Sequence, residues 1–386
     1  MQDDSFIPYG RQSIDEQDIA AVVSVLRSKV ITTGPAIASF EKRMSNYIGA
    51  QYTVAVCNGT AALHTALFAA GIGKQDEVIV PSMTFAATAN AVLYCGGTPV
   101  FADVKSSTLL IDPLMVEQII TSKTKAIIAV DYAGQPCDYT KLRRIADKHN
   151  LILISDACHA LGASYQDQKV GTLADITAFS FHPVKHITSG EGGMISTNNP
   201  HYNLRMRQFR NHGINIDHQQ RTESNAWFYQ MDFLGYNYRI TDFQCALGES
   251  QLSKLDPWIQ KRRDIASQYD TAFENHNAIT TLKAHSDRRH AYHLYVVKFS
   301  NSINRDDVFK LLREKKIGVN VHYIPVHLHP YYKNIQGTKE GMCPVAEAAY
   351  RSILSLPMFP ELSKSDLQFV IKEVKSAITV VQGKNQ

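Results

Sequence analysis

Between Thr53 and Thr197 the chain alternates short, continuous apolar runs with segments of helical pattern, and this alternation restricts the available folds more than any other feature. Thr53-Val54-Ala55-Val56, Glu77-Val78-Ile79-Val80, Lys125 to Val130, Leu151-Ile152-Leu153-Ile154 and Ile176 to Phe181 read as strands, and 193–197 as one more. Helices are expected over 60–70, stopped by Gly71, near 84–94 and over 139–149. A strand that is apolar at nearly every position has both faces covered. The pattern therefore predicts an α/β fold with a mostly parallel sheet between layers of helices.

Upstream, Ser13-Ile14-Asp15-Glu16 reads as a capping box that opens a helix with Ile19, Val22, Val23 and Leu26 on its apolar face. Gly34-Pro35 breaks the chain, and Pro35 suits the first turn of a helix ending near Gly49. Beyond about residue 240 the texture changes. A long helical region runs through Leu247, Leu252 and Leu255 to Asp256-Pro257. A strand near 293–299, a helix near 305–316 and a closing helix near 364–377 follow. This predicts a large domain over 1–255 and a smaller α+β domain over 256–386, with the N-terminal arm free to pack on the latter.

Composition excludes several classes. With 44% hydrophobic and 20% charged residues the chain reads as an ordinary soluble protein. A net charge of +4 with no long basic block gives no nucleic-acid footprint. No apolar stretch approaches the ~20 residues a membrane span needs. The acidic Met1-Gln2-Asp3-Asp4 lacks the apolar core of a signal peptide. None of the six cysteines forms a Cys-x-x-Cys pair, so reduced thiols and a cytoplasmic setting are expected. His322, His327 and His329 invite a metal reading, but Pro325 and Pro330 keep them off one regular helix, and no metal is expected.

In an open parallel sheet, ligands bind beyond the carboxyl ends of the strands. Four segments fall at that edge. Cys57-Asn58-Gly59-Thr60-Ala61 turns from strand into helix, where small residues and the helix dipole favour a phosphate; an ordinary N-cap is the other reading. Asp156 closes an apolar strand, and a buried carboxylate there needs a partner, either a ligand cation or a structural ion pair. His159, three residues on, is either a core histidine or a neighbour of that ligand. Ser180-Phe181-His182-Pro183-Val184-Lys185, followed by Gly190-Glu191-Gly192-Gly193, holds a lysine just past a strand and before a glycine turn. Such an amine can form a Schiff base with an aldehyde cofactor, although most lysines are simply solvated. Gly235-Tyr236-Asn237-Tyr238-Arg239-Ile240-Thr241-Asp242 suits a polar ligand or an interface equally well. Phe85, after Pro81-Ser82-Met83-Thr84, is either core or a platform for a planar ring.

Together these segments resemble the sugar-nucleotide aminotransferases of the DegT family, pyridoxal 5'-phosphate (PLP) enzymes of fold type I. The likeness runs from Ile7-Pro8-Tyr9-Gly10 to Ser355-Leu356-Pro357. Asn58-Gly59-Thr60-Ala61-Ala62-Leu63 resembles the family's phosphate turn, Ser155-Asp156-Ala157-Cys158-His159-Ala160 its pyridine-nitrogen segment, and Ser180 to Lys185 with the glycine turn its signature. Tyr9-Gly10-Arg11-Gln12-Ser13 and Val321-His322-Tyr323-Ile324-Pro325 resemble the branch that serves pseudaminic acid synthesis.

The resemblance implies a ping-pong reaction that cycles PLP and its aminated form, PMP, with Lys185 as the catalytic residue. L-Glutamate would give its amino group to C4 of a UDP-4-keto-6-deoxy-N-acetylhexosamine. Gly59, Thr60, Ala61, Phe85, Asp156, His159, Ser180 and Asn237 would hold the cofactor, with Asn237 reaching across a homodimer with shared active sites. Tyr9, Lys29, Val30, Ile31, Thr32, His322 and Tyr323 would touch the sugar nucleotide. Some sugar dehydratases of the family carry histidine where the aminotransferases carry lysine. Here Lys185 holds that position and His186 follows it, which favours transamination. The alternatives are amination of another sugar nucleotide, such as GDP-4-keto-6-deoxymannose, and a PLP-binding regulatory protein without turnover.

Overall fold

Seven strands build the central sheet, in the spatial order β1-β9-β8-β5-β4-β2-β3. They are β1 (Tyr52–Val56), β2 (Glu77–Pro81), β3 (Thr98–Ala102), β4 (Thr124–Val130), β5 (Ile152–Asp156), β8 (Ile176–Ser180) and β9 (Gly193–Thr197), with β6 (Ser164–Tyr165) and β7 (Gln168–Lys169) lying outside it. The structure, a computed structural model, describes residues 6–216, 221 and 225–384, so the acidic Met1–Asp4 terminus lies outside it.

Strands β8, β5, β4, β2 and β3 pair in parallel, as the continuous apolar runs require. Strand β9 is antiparallel to both neighbours, with Ser180 opposite Gly193 and Val56 also opposite Gly193. The reason is local. No helix intervenes between β8 and β9, so the chain turns back at Gly190, whose φ of +81° favours glycine. The loop carrying Lys185 is this return, and it therefore lies directly over the carboxyl edge of the sheet.

The flanking helices are α1 (Glu16–Leu26), α2 (Pro35–Ile48), α3 (Gly59–Ala69), α4 (Ala86–Tyr94), α5 (Pro113–Gln118), α6 (Tyr139–His149), α7 (Pro200–Phe209), α8 (Asp242–Leu252) and α9 (Leu255–Phe273). Helix α3 begins at an Asn58 cap, whose side chain accepts the Ala61 N–H at 2.8 Å. It is apolar nearly all round because it lies between α4 and α7 and against β8.

A second core gathers Ile265, Tyr269, Val297, Leu312, Leu367 and Val374, and takes in Ile7 from the N-terminal arm. It covers a three-stranded sheet of β10 (Ile279–Thr281), β12 (Tyr295–Phe299) and β13 (Ile353–Leu356), packed by α10 (Arg305–Glu314) and α13 (Lys364–Lys384). Between them run α11 (Pro330–Gln336) and α12 (Pro344–Ser352), while β11 (Arg288–Arg289) pairs with β6. The arm is held by backbone bonds from Ile7 N to Lys316 O at 3.0 Å and from Gly318 N to Ile7 O at 2.6 Å.

Several expectations are corrected. The cap of α1 is Asp15, which accepts the N–H groups of Gln17 and Asp18, while Ser13 Oγ donates to Glu361 instead. Ile19 and Leu26 are exposed, and the one fully buried residue of α1 is Asp18, held by Lys254, Gln251 and Ser250. The helical region does not stop at Asp256-Pro257. It breaks at Ser253-Lys254, and Pro257 sits in the first turn of α9, where no intrahelical N–H is needed. The closing helix runs on to Lys384. Strand β3 and helix α5 had no sequence-level counterpart.

Candidate active site

Asp156 ends β5 next to the end of β8, with its backbone opposite Ala178. Its carboxylate is 6% exposed and already accepts two bonds: the Cys158 N–H reaches Oδ1 at 3.2 Å, and the Thr88 hydroxyl reaches Oδ2 at 2.7 Å. Thr84 supports Thr88 at 2.8 Å. A buried carboxylate oriented in this way is set to hold one further cationic N–H.

Lys185 follows β8 in a turn closed by its own N–H to His182 O at 2.9 Å. Burial lowers its pKa from the ordinary value, and the neighbouring Cys158 and Asp156 offset only part of that. Its Nζ lies 3.5 Å from His293 Nε2. His159 donates or accepts through Nε2 at 3.0 Å from the Tyr323 hydroxyl, while its buried Nδ1 has no partner among the described residues. Burial, followed by the charge of Lys185, holds His159 well below the usual histidine range.

These groups face a cavity of about 620 Å³. Of the residues expected from sequence, Tyr9, Gly59, Thr60, Phe85, Asp156, His159, Ser180, Lys185, His322 and Tyr323 line it. Gly59 is required at its place, since a Cβ there would come within 2.8 Å of Ser180 Cβ. Close approach puts the Ser180 hydroxyl beside the N-terminus of α3. There the Ala61 N–H is bound by Asn58, and among the described residues those of Gly59 and Thr60 are left without a partner in the first turn. Phe85 is 59% exposed, with its ring 5.9 Å from that of Tyr323, so one face is open. His322 sits under Tyr9, with ring centroids 5.4 Å apart, and burial lowers its pKa to about 3. Its Nδ1 meets Ser355 Oγ at 2.8 Å, and its carbonyl accepts from the Tyr132 hydroxyl.

The remaining expected residues are not brought to this cavity. Ala61 is buried, with its N–H already used. Lys29, Val30, Ile31 and Thr32 are exposed on the surface, tied to the 241–242 turn by Asp242 N to Ile31 O at 3.0 Å. Asn237 is exposed too, bridged to Asn211. His327 pairs with Glu347 at 2.9 Å in the core, away from His322, and His329 precedes α11. Sequence reasoning missed Thr88 and His293. Thr88 lies inside a helix and His293 just before the start of β12, and each meets its partner only through the tertiary fold.

An anchored carboxylate, a desolvated amine, a helix N-terminus and an open aromatic face fit the ring nitrogen, aldehyde, phosphate and ring face of PLP in turn. Fold and site define a PLP-dependent aminotransferase of fold type I. The chain belongs to the DegT/DnrJ/EryC1/StrS aminotransferase family, whose model matches residues 12–375.

The chain is 39% identical over 378 residues to the spore coat polysaccharide biosynthesis protein SpsC of Bacillus subtilis, covering 97% of each. It is 36% identical over 368 residues to the UDP-4-amino-4,6-dideoxy-N-acetyl-beta-L-altrosamine transaminase of Campylobacter jejuni, covering 94% of this chain and 95% of the other. Among solved structures, a putative sugar aminotransferase of Streptococcus pneumoniae in its PMP form superposes with a TM-score of 0.92 at 33% identity, over 97% of this chain and 100% of that one. Helicobacter pylori PseC, an aminotransferase involved in the biosynthesis of pseudoaminic acid, gives a TM-score of 0.91 at 32% identity, over 97% and 100%.

Proposed function

We propose that this sugar aminotransferase moves the amino group of L-glutamate to C4 of a UDP-4-keto-6-deoxy-N-acetylhexosamine, a step toward pseudaminic acid, in the cytoplasm. The observation that carries the reading is the convergence of Lys185, Asp156 and the α3 N-terminus on one cavity. The substrate class is supported by the likeness to the Campylobacter jejuni and Helicobacter pylori enzymes.

Bound in this cavity, PLP supplies an aldehyde that takes up the amino group and a ring that draws electrons from the carbon being deprotonated. The residues do the rest. Lys185 would hold the aldehyde carbon, and its amine, when free, would move the proton at the donor's α-carbon. Burial lowers its pKa, so the lysine parts with a proton more readily than one in water. Asp156, whose orientation is fixed by Thr88 and the Cys158 N–H, would hold the proton of the ring nitrogen. Phe85 and His159, which both line the cavity, would lie against the cofactor ring. Gly59, Thr60 and Ser180 would take the phosphate, with Ala61 backing the turn. Tyr9, His322 and Tyr323 face the sugar.

Lys29 to Thr32 and Asn237 enter the reading through a second copy of the chain. Thr32 bridges Thr241, so the two segments form one surface unit. Beside it lies an apolar stretch in which Trp227 is 84% and Leu234 75% exposed, the kind of surface an isologous dimer buries. In this reading each protomer lends both segments to its partner's cavity. The division into residues 1–255 and 256–386 is part of the same proposal, supported by the helix break at Ser253-Lys254 close to that boundary.

The test is purified enzyme, glutamate and a panel of 4-keto sugar nucleotides. Preference for the UDP-N-acetylhexosamine derivative is expected. A higher kcat/KM for GDP-4-keto-6-deoxymannose would replace the substrate, and cofactor binding without transfer would favour the regulatory reading.

A further inference from the structure

One buried group against Lys185 has no part in the scheme above. His293 lies two residues before β12, 5% exposed. Among the described residues, its Nε2 is the hydrogen-bond partner of Lys185 Nζ, at 3.5 Å. Its Nδ1, also buried, has no partner among those residues. Bonds of this length are usual for catalytic groups before substrate draws the site together.

The ring is placed firmly. Leu294 N donates to Ala133 O at 3.2 Å, on one side. On the other, Arg262 reaches in from α9, and its Nη1 donates to Tyr292 O at 3.1 Å and His293 O at 3.4 Å. Gly134, at φ +102°, lets the backbone come so near that a Cβ there would stand 2.9 Å from His293 N. The ionisable groups facing the imidazole are Lys185 and His186 from the loop after β8, His159 from the turn after β5, and Arg262 from α9. The rings of His159 and His186 lie 4.3 and 5.6 Å from it. Burial first, and then the charge of Lys185, keeps His293 well below the usual histidine range. Its neutral ring therefore has a lone pair to offer.

An ammonium group has donors only, so a lysine in that form must use Nε2 as its acceptor, which leaves the imidazole proton on Nδ1. A lysine side chain also has ~2 kcal/mol of rotamer entropy to lose on being fixed. Without an acceptor its amine would wander within the cavity between steps.

We propose that His293 is a positioning residue that receives the Lys185 amine whenever the amine is not bonded to cofactor, holding Nζ within reach of the reacting carbon. The inference rests on reading Lys185 as the cofactor-bonding lysine. A neutral acceptor stabilises the charged amine, so its loss should lower the pKa of Lys185 further.

The test compares wild type with His293→Gln, which keeps an acceptor, and His293→Leu, which removes it at similar bulk. In apoenzyme, the pH dependence of Lys185 acylation, followed by peptide mapping, reports the amine's titration. In holoenzyme, stopped-flow absorbance reports the half-reaction with glutamate. His293→Leu should move the acylation midpoint to lower pH and slow the half-reaction about tenfold or more, equivalent to ~1.4 kcal/mol, with the glutamate concentration dependence unchanged. His293→Gln should restore both. An unmoved midpoint in His293→Leu, or equal damage in the two variants, would overturn the inference. Borohydride labelling keeps the two failures apart. A label away from Lys185 overturns the reading of that lysine, whereas a label on Lys185 with an unmoved midpoint overturns only the role of His293.

Discussion

The Thr88 hydroxyl donates to Asp156 Oδ2 at 2.7 Å, joining the first turn of α4 to the end of β5. The bond fixes the plane of a carboxylate that is almost wholly out of water. Thr88→Val keeps the shape and removes the donor, which leaves a buried charged oxygen short of a bond at a cost of ~1–3 kcal/mol. PLP titration of the apoenzyme should show affinity falling about tenfold or more. Thr88→Ser should bind as wild type does.

Glu41 on α2 is buried between Arg210 and Arg207, with nitrogen–oxygen distances of 2.6 and 2.9 Å, and also accepts the Ala55 N–H at 2.9 Å. Burial alone would raise its pKa, but the charges of Arg210 and Arg207 outweigh it and the pKa lies below 4.5. The folded state thus favours the ionised form. The stabilisation is complete above about pH 4.5 and lost as pH falls through the lower, folded value. Glu41→Gln should lose ~3–5 kcal/mol at neutral pH in denaturant unfolding. The gap to wild type should narrow below the 4.5 mark.

The proposed sharing of sites between protomers predicts complementation. Lys185→Ala and Asn237→Ala should each be poorly active alone, and mixed after mild denaturation and refolding they should regain activity through hybrid dimers. Leu234→Glu, on the exposed apolar stretch, should give a smaller particle by light scattering and lose turnover in parallel. Full activity in a monomeric Leu234→Glu would contradict the sharing.

The sheet was legible because strands such as 152–156 are covered on both faces and so leave an unbroken apolar run. Strand β3, Thr-Pro-Val-Phe-Ala, hid behind its proline, tolerated here because β3 is an edge strand. The start of α1 was misplaced by two residues, because Ser13 and Asp15 both qualify as caps and only the tertiary contact with Glu361 removes Ser13. The face of α1 was misread for a deeper reason. Its inner side carries Asp18 bound to Lys254 and Gln251, so apolar periodicity marked the outside. At the site, Gly59 was legible because no Cβ fits beside Ser180, and Asp156 and Lys185 because each stands at or just past the end of an apolar strand. Thr88 and His293 were not, since they meet their partners across 68 and 108 residues of chain.

The central claim is that the ε-amino group of Lys185 is the one that bonds PLP. Reduction of the holoenzyme with borohydride, digestion and mass spectrometry should find the pyridoxyl group on the peptide containing Lys185, and Lys185→Ala should take up none. A label on another lysine, or turnover by Lys185→Ala, would contradict the account.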